Sequence, residues 1–78
     1  MADLDLIVRD PKILCGKPTV RGTRLSVELI LERFADGWTQ QEVLDSYPAL
    51  TPESLRAVFA YAAEVLARES RVPIRRRA

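Results

Sequence analysis

Seventy-eight residues with 47% apolar side chains and a net charge of +1 describe one small globular domain and exclude disorder for most of the chain. One cysteine and no histidine exclude a disulfide framework and a zinc site, and point to a reducing compartment, the cytoplasm. No stretch is long and apolar enough for a membrane span, and the opening MADLDLIV is acidic where a secretory signal is basic.

Leu4-Asp5-Leu6-Ile7-Val8-Arg9 alternates in part and carries β-branched residues, which predicts a short strand. Asp10-Pro11 marks a turn. Ile13-Leu14-Cys15 is a second short apolar run, in which Cys15 reads as a small core or strand filler. Gly16-Lys17-Pro18 turns the chain again, and Thr19-Val20-Arg21 predicts another short strand before Gly22. Ser26 is placed to cap a first helix from about Val27 to Ala35, with Val27, Ile30, Leu31 and Phe34 inward and Glu28 and Glu32 outward. Gly37 is a natural left-handed stop, after which Trp38 folds back onto the helix end.

Thr39 and Glu42 form a capping-box pattern: the Thr hydroxyl takes one free backbone N–H and the Glu carboxylate another. The short helix they open has Val43, Leu44 and Tyr47 as its apolar face, and Pro48 ends it. Thr51-Pro52-Glu53 opens a third, long helix, with a cap, a Pro at the first position and an acid near the positive dipole end. Leu55, Val58, Phe59, Ala62, Val65 and Leu66 recur at spacings of three and four and predict its core face, with Phe59 central. Short helix, tight corner and long helix suggest a helix-turn-helix. The expected fold is α+β, mainly α: residues 1–70 make one domain, with a short β segment before three helices, and residues 71–78 make a basic, solvated tail.

The ordered set Gly16-Lys17-Pro18, Arg21-Gly22-Thr23-Arg24, Val27, Gly37, Glu42, Tyr47-Pro48, Leu50-Thr51 and Ala60-Tyr61-Ala62 resembles a family of short bacterial and archaeal proteins, the domain-of-unknown-function family four-three-three. The likeness runs from about Asp10 to Ala63. It implies a homeodomain-like helical unit after a short β segment. It also implies an antitoxin-like role, since such proteins are often encoded beside a PIN-like ribonuclease toxin. The Arg-rich tail lies outside the matched stretch.

The residues divide the functional classes. With no histidine, no nucleophile beside a base and no Gly-rich phosphate loop, the expectation is a binding protein without cofactor, and not an enzyme. Charge is uneven: residues 38–54 carry Glu42, Asp45 and Glu53 and no base, whereas residues 55–78 carry six Arg against Glu64 and Glu69, a local +4. An acidic region around the start of the third helix disfavours DNA reading there, where only Ser54 and Arg56 are placed to touch bases. Lys17, Arg21 and Arg24 are the DNA-facing candidates, as one basic patch; the alternative is that Arg21 or Arg24 braces the fold through Glu28 or Asp45. Ala57, Ala60 and Tyr61 lie off the predicted core stripe of the third helix and form a candidate homodimer contact, against the alternative that Ala is simply a good helix former. Val72, Ile74, Arg75, Arg76 and Arg77 are the candidate toxin contact, the arginines pairing in forked geometry with the acidic metal ligands that a PIN-type nuclease carries; solubilising charge is the alternative.

Overall fold

The computed structural model describes residues 2–69, with side chains from Leu4 onward. A 3-10 segment, Ala2–Leu6, leads into strand β1, Ile7–Val8; a tight turn at Leu14–Gly16 precedes strand β2, Thr19–Val20; and three helices follow, α1 Val27–Ala35, α2 Gln40–Ser46 and α3 Pro52–Glu69. The fold is α+β and mainly α.

β1 and β2 pair antiparallel, Ile7 with Val20 and Val8 with Thr19. The predicted strand over Leu4–Arg9 therefore shrinks to two residues. Its first half, Leu4-Asp5-Leu6, has no β-branched residue and carries an Asp, which favours strands poorly, and pairing begins where the β-branched residues begin. Residues 2–6 instead coil against α3, which β1 also touches. Ile13-Leu14-Cys15 is not packed inside. Leu14 and Cys15 turn through the left-handed region at φ 49° and 56°, and Cys15 is exposed, so it fills neither core nor strand.

Each helix starts on the residue chosen for it by its hydrogen-bonding side chain. Ser26 Oγ accepts from Leu29 N at 2.9 Å. Thr39 Oγ1 accepts from Glu42 N at 3.1 Å while the Glu42 carboxylate accepts from Thr39 N at 2.7 Å, the reciprocal box. Thr51 Oγ1 accepts from Ser54 N at 3.1 Å. α1 stops at Gly37, whose φ of 97° only glycine adopts cheaply. Gly37 N then donates to Phe34 O at 3.0 Å and Trp38 N to Arg33 O at 3.1 Å, the paired bonds that satisfy a helix C-terminus and carry Trp38 back onto it.

The core is Val20, Val27, Ile30, Val43, Leu50, Leu55 and Val58, so every helix and β2 contribute. α3 meets this core on a face rotated from the one its apolar spacing predicts. Ser54 and Ala57 are buried beside Leu55 and Val58, whereas Phe59 is 46% exposed and Leu66 65% exposed. Phe59 is thus not central: it touches Phe34, ring centroids 5.1 Å apart, at the margin. The rotation follows from the N-terminal segment, which covers α3 on a side that helix periodicity alone leaves open.

Candidate binding site

The three basic candidates occupy one hairpin. Val20 N donates to Leu25 O at 3.0 Å and Val27 N to Pro18 O at 2.9 Å, on either side of the Thr19–Ser26 bridge. Thr23 N closes a tight turn onto Val20 O at 3.0 Å; Gly22 supplies the positive φ of 82° that its third position needs, and Thr23 Oγ1 both donates to Val20 O and accepts from Leu25 N. That register sets Arg21 across from Arg24 at the loop tip and Lys17 across from Glu28 at its base.

The expected single patch of Lys17, Arg21 and Arg24 is therefore divided. Lys17 Nζ lies 3.4 Å from Glu28 Oε1, so its charge is largely answered. Four residues of extended chain, roughly 13 Å, separate it from Arg21. Arg21 and Arg24 are both exposed and make no ion pair among the described residues, so neither braces the fold through Glu28 or Asp45. Two like charges held at the ends of one short loop repel mildly. A bound anion would relieve that.

The start of α3 offers little to a base edge. Ser54 is buried, and its hydroxyl lies 3.1 Å from that of Thr51, so it is occupied in capping the helix and cannot reach out. The expected stripe of Ala57, Ala60 and Tyr61 is corrected too. Ala57 is 0% exposed, while Ala60 and Tyr61 are half-buried and Tyr61 packs against the core. Elements of the same chain lie against α3 where a second molecule was expected, so Ala57 is no dimer contact. The tail residues Val72, Ile74, Arg75, Arg76 and Arg77 lie outside the described residues.

One concave surface is hidden by helix periodicity. An open groove of about 450 Å³ runs between α1 and the second half of α3. Leu31 and Ala35 form one wall, Ala62, Val65 and Leu66 the other, and Glu28 and Glu32 stand on its α1 edge. Among the described residues, its charged lining is acidic. The sequence did carry a signal: the apolar stripe of α3 continues through Val65 and Leu66, past the length that α1, only nine residues long, can cover. Taking that stripe as core throughout concealed the groove.

The family model for the protein of unknown function DUF433 matches residues 7–62. The chain belongs to the DUF433 family. A DUF433 member from Anabaena variabilis, solved as a crystal structure, shares the fold with a TM-score of 0.75 and 28% identity, over 81% of this chain and 62% of that one. The uncharacterized protein y4eO of Sinorhizobium fredii is 34% identical over 58 residues, 74% of this chain. This DUF433 chain spans only 26% of that relative's length. The family match covers β1 through the first part of α3, taking in Tyr61 and Ala62 of the groove and ending before Val65 and Leu66.

Proposed function

We propose that this DUF433 protein is an antitoxin-like binding protein, not an enzyme, that neutralises a PIN-like ribonuclease in the cytoplasm. The reading begins from what the family resemblance implies. The observation that carries it furthest is the acid-edged apolar groove beside a helix-turn-helix that carries Glu42, Asp45 and Glu53 and no base from residue 38 to residue 54. Such surfaces suit a polypeptide partner better than a polyanion. Toxin contact is assigned to Val72, Ile74 and Arg75–Arg77. The apolar pair anchors, and the arginines meet the nuclease's carboxylates where water is scarce and forked pairs are strong. Self-association as a homodimer or higher belongs to the same reading, with Ala60 and Tyr61 as its half-exposed contacts.

The test is co-expression with the product of the adjacent gene. The expected result is a co-purifying complex without ribonuclease activity, and recovery of activity when the chain is cut after Ser70. A nuclease that stays active beside excess full-length protein would overturn the reading.

A second reading is favoured by one specific observation, the exposed Arg21–Arg24 pair at the hairpin tip. It has the protein binding its own operator through that tip, alone or together with the toxin.

A further inference from the structure

We infer that the α1–α3 groove is the docking site for the chain's own C-terminal segment, residues 71–77, folded back in the free protein. The inference rests on groove, charge and reach, and stands whether or not the same segment also engages a nuclease.

The groove is apolar along its floor and acidic along its α1 edge, where Glu28 and Glu32 rise from successive turns of one helix face. Lys17 holds Glu28 at 3.4 Å, but Glu32 makes no ion pair among the described residues. An occupant should therefore bring two or three apolar side chains followed closely by positive charge. Val72-Pro73-Ile74-Arg75-Arg76-Arg77 has that composition in that order. Pro73 favours an extended backbone, so Val72 and Ile74 fall on one side of it at alternate positions.

The reach is sufficient. α3 ends at Glu69, and Val65 lies about one turn before that end. Returning from Glu69 to Tyr61 covers eight residues of helix, about 12 Å. Ser70 to Ile74 is five residues, able to span about 17 Å when extended. One reversal at Ser70-Arg71 brings Val72 and Ile74 between Leu31 and Val65, and leaves the three arginines to run toward Glu32 and Glu28. Docking in the same molecule has a further advantage, since the short tether holds the segment at a high effective concentration. Weak contacts then suffice.

The experiment uses the full chain. A nitroxide is attached after Ala78→Cys in a Cys15→Ser background, and amide signals are followed by NMR in isotope-labelled protein. The expected result is that Leu31, Glu32, Ala62 and Val65 lose most of their intensity while Gln41 and Asp45 on α2 keep theirs. Glu28→Lys/Glu32→Lys, both on exposed positions, should restore the lost signals. Val72→Ser/Ile74→Ser should do the same. No broadening in the groove overturns the inference, as does broadening that survives both double substitutions. An equal mixture of isotope-labelled chain without nitroxide and unlabelled chain with it should show none. Groove broadening that also appears in that mixture overturns docking within one molecule and assigns the groove to a second copy. Loss of nuclease inhibition is a separate measurement, so failure here and failure of the toxin reading are distinguishable.

Discussion

The guanidinium of Arg33 lies 5.4 Å above the centre of the Trp38 ring. Its Nε donates to the Tyr47 hydroxyl at 3.3 Å and its Nη1 meets Asp36 at 3.2 Å. Trp38 in turn stacks on Tyr47, centroids 6.3 Å apart and planes 18° from parallel. One side chain at the end of α1 thus holds the residue after the helix stop and the residue that ends α2. The Tyr47 hydrogen bond, with help from Asp36, raises the Arg33 pKa above its ordinary value. The group is charged throughout the working pH range, so this clasp does not titrate near neutrality.

Arg33→Lys should loosen that clasp. An ammonium cannot cover the indole face and donate sideways to Tyr47 with the same planar fork. The expected outcome is a lower urea midpoint with an unchanged slope and a shifted Trp38 fluorescence maximum. Identical fluorescence and midpoint in the variant would show that the contact contributes nothing.

Ile30 and Phe59 should trade the ranks that their sizes suggest. Ile30 is fully buried, and its replacement by Ala should cost about 3 kcal/mol through lost transfer and a residual cavity. Phe59→Ala removes a half-exposed ring whose definite contact is Phe34, so roughly 1–2 kcal/mol is expected. In a domain with about 5 kcal/mol in hand, the first variant is marginal and the second folds. Denaturant melts of the two decide it; a Phe59→Ala chain less stable than Ile30→Ala would return Phe59 to the core.

The contrast between those residues shows what was legible in the sequence. α1 was readable to the residue, because Ser26 and Gly37 punctuate it by local chemistry. The starts of α2 and α3 were readable at Thr39 and Thr51 for the same reason. What stayed hidden depends on contacts distant in sequence. Nothing within α3 tells Ala57, which is covered, from Phe59, which is not; that depends on packing against distant elements, among them the N-terminal segment some fifty residues away. The hairpin was half legible. Its turn residues were plain, but the register that sets Lys17 against Glu28 and Arg21 against Arg24 is a property of the folded pair.

Thr39→Ala should cost about 1 kcal/mol, the usual effect of losing a cap oxygen. The substitution strands the Glu42 amide, now bonded at 3.1 Å, and loosens the entry residue whose backbone N–H the Glu42 carboxylate holds at 2.7 Å. Glu42→Ala should therefore add little in the double variant if the two bonds act as one unit. A double-mutant cycle measures this directly, and simple additivity of the two single costs would show that the bonds act independently.

DNA binding, if the operator reading holds, should run through the hairpin tip and not through the start of α3. Arg21 and Arg24 are exposed at facing positions of one loop, and their mutual repulsion falls when a phosphate enters between them. Lys17 already faces Glu28 and would first have to exchange that partner. Ser54 is buried beneath its own cap. Each lost phosphate contact lowers the slope of log affinity against log salt by about one. Arg21→Ala/Arg24→Ala should then reduce that slope by about two, and Lys17→Ala by much less. Ser54→Ala should lower the melting temperature, since it removes the side chain that partners Thr51, yet leave the slope unchanged for the folded fraction. Titrations of operator DNA at several salt concentrations separate these outcomes. An unchanged slope in the double arginine variant, with a reduced slope in Ser54→Ala, would move the interface to α3 in spite of its acids.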